Sequence, residues 1–211
     1  MRRLALLLVP FVLLSACGGS GSDDAGKATG RTAAGAAPTW AAPSDPLDRA
    51  RAAGLEPEVR ETLTHHVHGH LDVFFNGTAV AVPGGIGINT SDPGVKSYDD
   101  PLGKGYGRID GCDQPCISPL HTHVPDGILH TESASAVPNT LGQFFTEWGV
   151  RLDSKCVGDY CRPTTDVAIF VNGKALRGNP TGIKLTDRKE IAIVIGRPPT
   201  KVPSKADFSQ A

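Results

Sequence analysis

The stretch THHVHGHLDVFFNGTAV, residues 64–80, decides the fold. From residue 66 to residue 73, polar side chains take every even position and the apolar side chains lie at odd positions. The apolar set is Val67, Leu71, Val73 and Phe75, and the polar set is His66, His68, His70 and Asp72. A period of two predicts a β-strand with one face in the core and the other face available for chemistry. Asn76-Gly77 is typical of a type I′ turn, so residues 78–82 are predicted to return antiparallel.

Further elements extend this hairpin into an α+β domain. A capping box formed by Thr140 and Gln143 opens an amphipathic helix that ends at Gly149, and a shorter helix is predicted between Pro46 and Gly54. Additional strands are predicted at residues 128–133, 167–171, 174–176 and 191–195. This order predicts a small mixed or antiparallel β-sheet with one packed helix, in a β-grasp-like arrangement, with a β-sandwich as the alternative. Residues 83–111, rich in Gly, Asp and Pro, are predicted to form turns and loops.

The N-terminal sequence predicts the cellular location of the domain. Arg2 and Arg3 precede a short apolar run, and Leu14-Ser15-Ala16-Cys17 looks like a bacterial lipobox. The resemblance implies removal of residues 1–16 and a lipid on Cys17, with an ordinary signal peptide as the alternative. The cell membrane is then a partner, and the mature chain is anchored at its extracytoplasmic face. Residues 17–43 are predicted to be a flexible tether, 44–198 the globular domain and 199–211 a disordered tail.

The charge of the chain argues against a nucleic-acid partner. The formal net charge is -1, and the sequence has no basic stripe that would neutralise a phosphate backbone.

Four cysteines besides Cys17 are predicted to form disulfides. They are Cys112, Cys116, Cys156 and Cys161. An oxidising compartment favours disulfides, and the sequence leaves all three pairings open. A four-cysteine zinc site or a soft copper site is the alternative, because three and four intervening residues suit metal binding as well.

The histidines give the strongest indication of function. All seven lie in two short stretches. On the predicted strand, His66, His68 and His70 share one face while His65 points to the other. A turn at residues 125–127 is predicted to fold back the second stretch, so that its three histidines face the same side. The predicted metal ligands are His66, His68, His70, His121, His123 and His130. Asp72, Asp126 and Glu132 are predicted to orient these rings by accepting their free N–H groups.

A flat row of three imidazoles does not fit one ion, because alternate residues on a strand are about 6.5 to 7 Å apart. Either His66 therefore stays out of direct coordination or a second ion binds beside it.

The motifs HVHGHL at residues 66–71, LHTH at 120–123 and GILHTE at 127–132 resemble a group of bacterial histidine-rich secreted proteins and lipoproteins. The TLGQFF helix start at 140–145 belongs to the same pattern. This resemblance covers most of residues 64–196 and implies no particular activity. The paired HxH motifs also resemble those of multicopper oxidases and periplasmic copper proteins. Such oxidases have four HxH motifs and a Cys-His segment, so only the ligand type is carried over.

These features predict a lipid-anchored protein that binds Cu(II) or Zn(II) for capture, buffering or delivery at the cell envelope, in some cases to a partner protein there. A methionine-based Cu(I) carrier is excluded, because Met1 is the single methionine and leaves with the signal peptide. One alternative is a metal-dependent hydrolase or oxidase with Glu132 or Asp126 as general base. Another is an interaction module whose histidines sense acid.

Overall fold

The computed structural model describes residues 33–109, 111–134, 136–203 and 205–208. The residues of the predicted lipobox, with Cys17, lie outside these ranges. No helix within the described ranges is long and apolar enough to span a bilayer. In chain order the helices and strands are α1 (Pro46–Ala52), β1 (His65–Phe75), β2 (Thr78–Val80), β3 (Lys96–Asp100), β4 (Gly103–Gly107), β5 (Leu120–His121), β6 (Ile128–Ser133), α2 (Leu141–Trp148), β7 (Cys156–Val157), β8 (Tyr160–Cys161), β9 (Val167–Val171), β10 (Lys174–Ala175) and β11 (Lys189–Ile195).

The main sheet is mixed and has the strand order β10-β9-β11-β1-β6-β5, with β2 pairing the end of β1. β1 runs parallel to β11, and the other pairs are antiparallel. Within this sheet, the strands β2-β1-β11-β9-β10 have the predicted β-grasp-like order. In the chain, α2 lies between β2 and β9. β1 is long enough to pair with two strands along one edge. It pairs with β6 through residues 65–70 and with β2 through residues 73–75. The predicted α+β class is confirmed.

The odd face of β1 packs against α2. The predicted capping box is present, because the Thr140 side chain accepts from the Gln143 amide and the Gln143 side chain accepts from the Thr140 amide. Gly149 ends the helix in the left-handed conformation at φ 75°, which glycine adopts without a steric penalty. Phe144 and Phe145 are fully buried against the sheet. Burial of each such side chain contributes about 1.5–3 kcal/mol.

Described residues on both sides of the predicted domain contact it. Trp40 packs edge-on against Trp148 with ring centroids 5.7 Å apart, and its carbonyl accepts from the Trp148 indole at 3.2 Å. On the opposite face of the sheet, Val202 packs on a small apolar cluster around Phe74 and Val194. Trp40 thus covers apolar surface of α2 and Val202 covers apolar surface of the sheet, and each contact removes apolar area from water.

The prediction that residues 83–111 form only turns and loops is wrong, since this segment contains the β3–β4 hairpin. Glycines hide the alternation of β4, because three of its five residues have no side chain. Gly105 is required by packing, since a Cβ there would lie 2.5 Å from the Tyr98 ring.

Two local disulfides are present, Cys112–Cys116 and Cys156–Cys161. Of the three pairings that the sequence leaves open, the structure has the local one. The four-cysteine metal site is therefore wrong, since all four sulfur atoms are used in S–S bonds. Cys116 is fully buried beside Ile117, immediately before the segment that carries β5.

Candidate metal centre

Strand pairing brings the two histidine stretches together on the even face of the sheet. β6 lies between β1 and β5, and His130 of β6 is opposite His68 on one side and His121 on the other. In the same register His66 is opposite Glu132. The histidine face is therefore the face that does not pack against α2.

His130 is at the centre of this cluster. Its ring stacks on His121 at 5.3 Å between centroids and on His66 at 5.8 Å. The rings of His123 and His68 each meet it edge-on at 4.5 Å. The structure thus brings together five of the six predicted ligands, and we call these five residues with Glu132 the histidine centre.

Two ring nitrogens of the histidine centre, one from His121 and one from His123, face each other at close range. The Nδ1–H of His121 donates to the Ser118 carbonyl at 2.9 Å, and the Nδ1–H of His123 donates to the Tyr106 carbonyl at 2.6 Å. In a neutral imidazole the other nitrogen is then an acceptor. The two Nε2 atoms lie 3.2 Å apart, so two lone pairs oppose each other when both rings are neutral.

Glu132 adds a negative charge to the same volume. Its Oε1 lies 3.0 Å from His66 Nε2, 3.6 Å from His130 Nδ1 and 3.8 Å from His121 Nε2. Its Oε2 is buried without a hydrogen-bond partner, and so are His130 Nδ1 and His68 Nε2. Glu132 was predicted to orient the rings from outside, but its carboxylate lies among their nitrogens.

Burial keeps the central imidazoles uncharged. Burial, together with the charges of His123 and His130, lowers the pKa of His121 well below its ordinary value. Burial and the neighbouring histidines lower the pKa of His130 to about 2. Burial, followed by the charge of His66, also lowers the pKa of His68. The rings therefore offer free lone pairs at neutral pH.

This arrangement can hold a metal ion. One set of ligand atoms, from His121, His123, His130 and Glu132, lies within 4.8 Å of one another, and a second set comes from His66, His68 and His130. Two nitrogens that bind one tetrahedral zinc at 2.0–2.1 Å are about 3.3 Å apart. The Nε2 atoms of His121 and His123 already have this spacing, at 3.2 Å.

His70 is not part of the histidine centre. Its Nε2–H donates to the Asp126 carbonyl at 3.1 Å, and its Nδ1 lies 2.9 Å from Glu190 Oε1. Burial opposes protonation, but the hydrogen bond and charge of Glu190 outweigh it and raise the pKa of His70. Asp72 lies in the same group, 3.8 Å from His70 Nδ1. The structure thus places Asp72 and Asp126 beside His70, whereas both were predicted to support the shared ligands.

Sequence reasoning missed several groups that position the rings. Glu61 Oε1 lies 3.7 Å from His123 Nε2. The one feature of the sequence that could have indicated this residue is its position shortly before β1. Glu190 is opposite His70 through the parallel pairing of β1 with β11. The backbone carbonyls of Ser118 and Tyr106 fix the tautomers of His121 and His123. Every residue has such a carbonyl, so the sequence does not indicate which ones bind a ring.

An open cleft of about 490 Å³ reaches the histidine centre at His123. Its walls include Glu61, Tyr98 of β3, and the cations Lys96 and Arg108. A small molecule in this cleft would touch the edge of the centre.

Comparisons with protein-family models, with curated proteins and with solved structures found no match.

Proposed function

We propose that this protein is a lipid-anchored metal-binding protein of the bacterial cell envelope, which captures, buffers or delivers Cu(II) or Zn(II). The observation that carries the proposal is the 3.2 Å approach of the Nε2 atoms of His121 and His123, whose Nδ1–H groups both donate to backbone carbonyls. Buried acceptors without donors cost about 1–3 kcal/mol each. A cation between them removes this cost, because both lone pairs then bind it.

The site is organised before the metal arrives. Backbone carbonyls hold the rings of His121 and His123, so little ordering entropy remains to be lost on binding. The buried imidazoles are already neutral, so no proton has to leave them. These properties suit a protein that competes for scarce ions. Nitrogen ligands with one carboxylate suit both Cu(II) and Zn(II), and the general affinity order favours copper where both are available.

The test is the metal content of the full chain isolated from its own envelope, measured by inductively coupled plasma mass spectrometry. We expect bound copper or zinc in at least a one-to-one ratio, and its loss in the His121→Ala/His123→Ala double variant. His65→Ala is the matched control, because His65 lies on the other face of the same strand beside Val67 and Ser133. Metal-free protein that also fails to bind either ion in vitro would overturn the proposal.

The envelope location has its own test. The unaltered chain should incorporate radiolabelled palmitate in cells, and Cys17→Ser should not, because the lipid thioether can no longer form. No incorporation into the unaltered chain, or equal incorporation into Cys17→Ser, would refute lipid anchoring at Cys17 and leave metal binding untouched.

A metal-dependent enzyme is the second candidate, and the cleft at His123 favours it. A substrate bound between Lys96 and Arg108 would lie next to the proposed metal, and these cations select anionic groups. Metal-loaded protein that turns over esters or phenols carrying a carboxylate, with loss of turnover in Arg108→Ala at unchanged metal content, would support the enzyme. Full metal binding without turnover supports the carrier.

A further inference from the structure

The histidine centre consists of two similar halves around His130. The His121 and His123 rings meet edge-on at 4.7 Å and 77°, and the His66 and His68 rings meet edge-on at 4.4 Å and 73°. Each pair presents one stacked ring and one edge-on ring to His130. The stacked rings are His121 and His66, and the edge-on rings, both at 4.5 Å and 81°, are His123 and His68.

One ion does not satisfy this arrangement. Tetrahedral Zn(II) and square-planar Cu(II) each take four ligands, whereas the centre offers five imidazoles and a carboxylate. An ion bound by His121, His123, His130 and Glu132 is already complete. Such an ion leaves the buried Nε2 of His68 without a partner. This nitrogen belongs to the other half of the centre.

Glu132 lies between the two halves. Its Oε1 is 3.0 Å from His66 Nε2 in one half and 3.8 Å from His121 Nε2 in the other. Its Oε2 is buried and has no hydrogen-bond partner. A carboxylate with one oxygen committed and the other free can bridge two cations, and bridged pairs in proteins are about 3.5–4 Å apart.

We propose that the histidine centre binds two divalent ions side by side, one held by His121 and His123 and the other by His66 and His68, with His130 and Glu132 between them. This inference rests on the proposed metal-binding function and extends it. The two positions differ in access, because the His121 side chain is 1% exposed and the His66 side chain is 33% exposed. The inner ion is therefore the retained one, and the outer ion is the one that exchanges with solution.

The first experiment uses the unaltered full chain. Copper-free protein is titrated with Cu(II), and electron paramagnetic resonance spectra are recorded at one and two equivalents. We expect an isolated Cu(II) signal at one equivalent, and at two equivalents a loss of that intensity or a half-field line from coupled ions. Saturation at one equivalent, or two uncoupled signals, would overturn the paired site.

The second experiment assigns the ions to the two halves by native mass spectrometry. Two ions are expected in the unaltered chain and in His65→Ala, and one ion is expected in His66→Ala/His68→Ala. A weak chelator should remove the outer ion first. One ion in both the unaltered chain and the His66→Ala/His68→Ala variant overturns the second ion and keeps the proposed function. No ion in the unaltered chain overturns both.

Discussion

Replacing His121 by alanine separates the structural role of this residue from its role as a ligand. In the metal-free protein the change removes a fully buried ring and leaves the Ser118 carbonyl without its donor. The cavity and the orphaned carbonyl destabilise the fold, while the loss of the opposed lone pair at 3.2 Å offsets part of this effect. We expect a net loss of about 2–4 kcal/mol in the free energy of unfolding.

Bound metal makes a separate contribution to the free energy of unfolding, and His121→Ala reduces that contribution as well. At a free metal concentration 100 times the Kd, binding stabilises the unaltered protein by about 2.7 kcal/mol. Loss of one ligand weakens binding at least about 100-fold, which is the upper range for groups that only support ligands. At the same metal concentration the stabilisation then falls to about 0.4 kcal/mol. For a chain of this size we expect a metal-induced rise in Tm of about 5–10 °C in the unaltered protein and of about 1 °C in the variant.

The assay is thermal unfolding followed by circular dichroism, with and without Zn(II), for the unaltered protein, His121→Ala and His65→Ala. The quantity compared is the metal-induced change in the Tm of each protein. A lower Tm of the metal-free variant therefore does not affect the comparison. His65→Ala should keep the full shift, because its side chain is exposed on the other face of the strand. An equal shift in His121→Ala and in the unaltered protein would refute the ligand assignment.

Three further changes test the surroundings of the site. Gly87→Ala should lower metal affinity at least tenfold in a calorimetric titration, because the backbone there has φ 74° and a Cβ would press on the Leu120 carbonyl and lie 3.1 Å from the His121 Cβ. Burial raises the pKa of Asp72 to about 6, so its ionised form destabilises the fold above that pH. Asp72→Asn should therefore raise the metal-free unfolding free energy at pH 8 by up to about 3 kcal/mol and leave it unchanged below pH 4, as urea unfolding at both pH values would show. Thr140→Ala should cost about 1 kcal/mol in urea unfolding through loss of the helix cap, with metal affinity unchanged.

The sequence predicted those parts of the fold that depend on local patterns. The alternation along β1 gave both the core face and the histidine face, and the Thr140 capping box gave α2 with its correct start. β4 was missed because glycines at residues 103, 105 and 107 remove the alternation that indicates a strand. β3 was missed because its sequence, KSYDD, is polar except for Tyr98.

The histidine centre was predicted only in part, because parity along a strand does not distinguish His66 and His68 from His70. The difference comes from strands distant in sequence. The antiparallel neighbour β6 places His130 opposite His68, whereas the parallel neighbour β11 places Glu190 opposite His70. His70 therefore forms a hydrogen bond with a carboxylate, and the other two rings meet imidazoles. Such registers are not encoded in any short segment.

The position of the site within the fold explains how a small domain can hold so many unpartnered polar atoms. The apolar core lies on the face of the sheet that packs α2, and the histidines lie on the opposite face over β5, β6 and the first half of β1. The second half of β1 forms hydrogen bonds with both β2 and β11, so the scaffold is anchored away from the site. The cost of opposed lone pairs and an unpartnered carboxylate oxygen is then confined to one corner of the sheet, where a bound cation can offset it without rearrangement of the core.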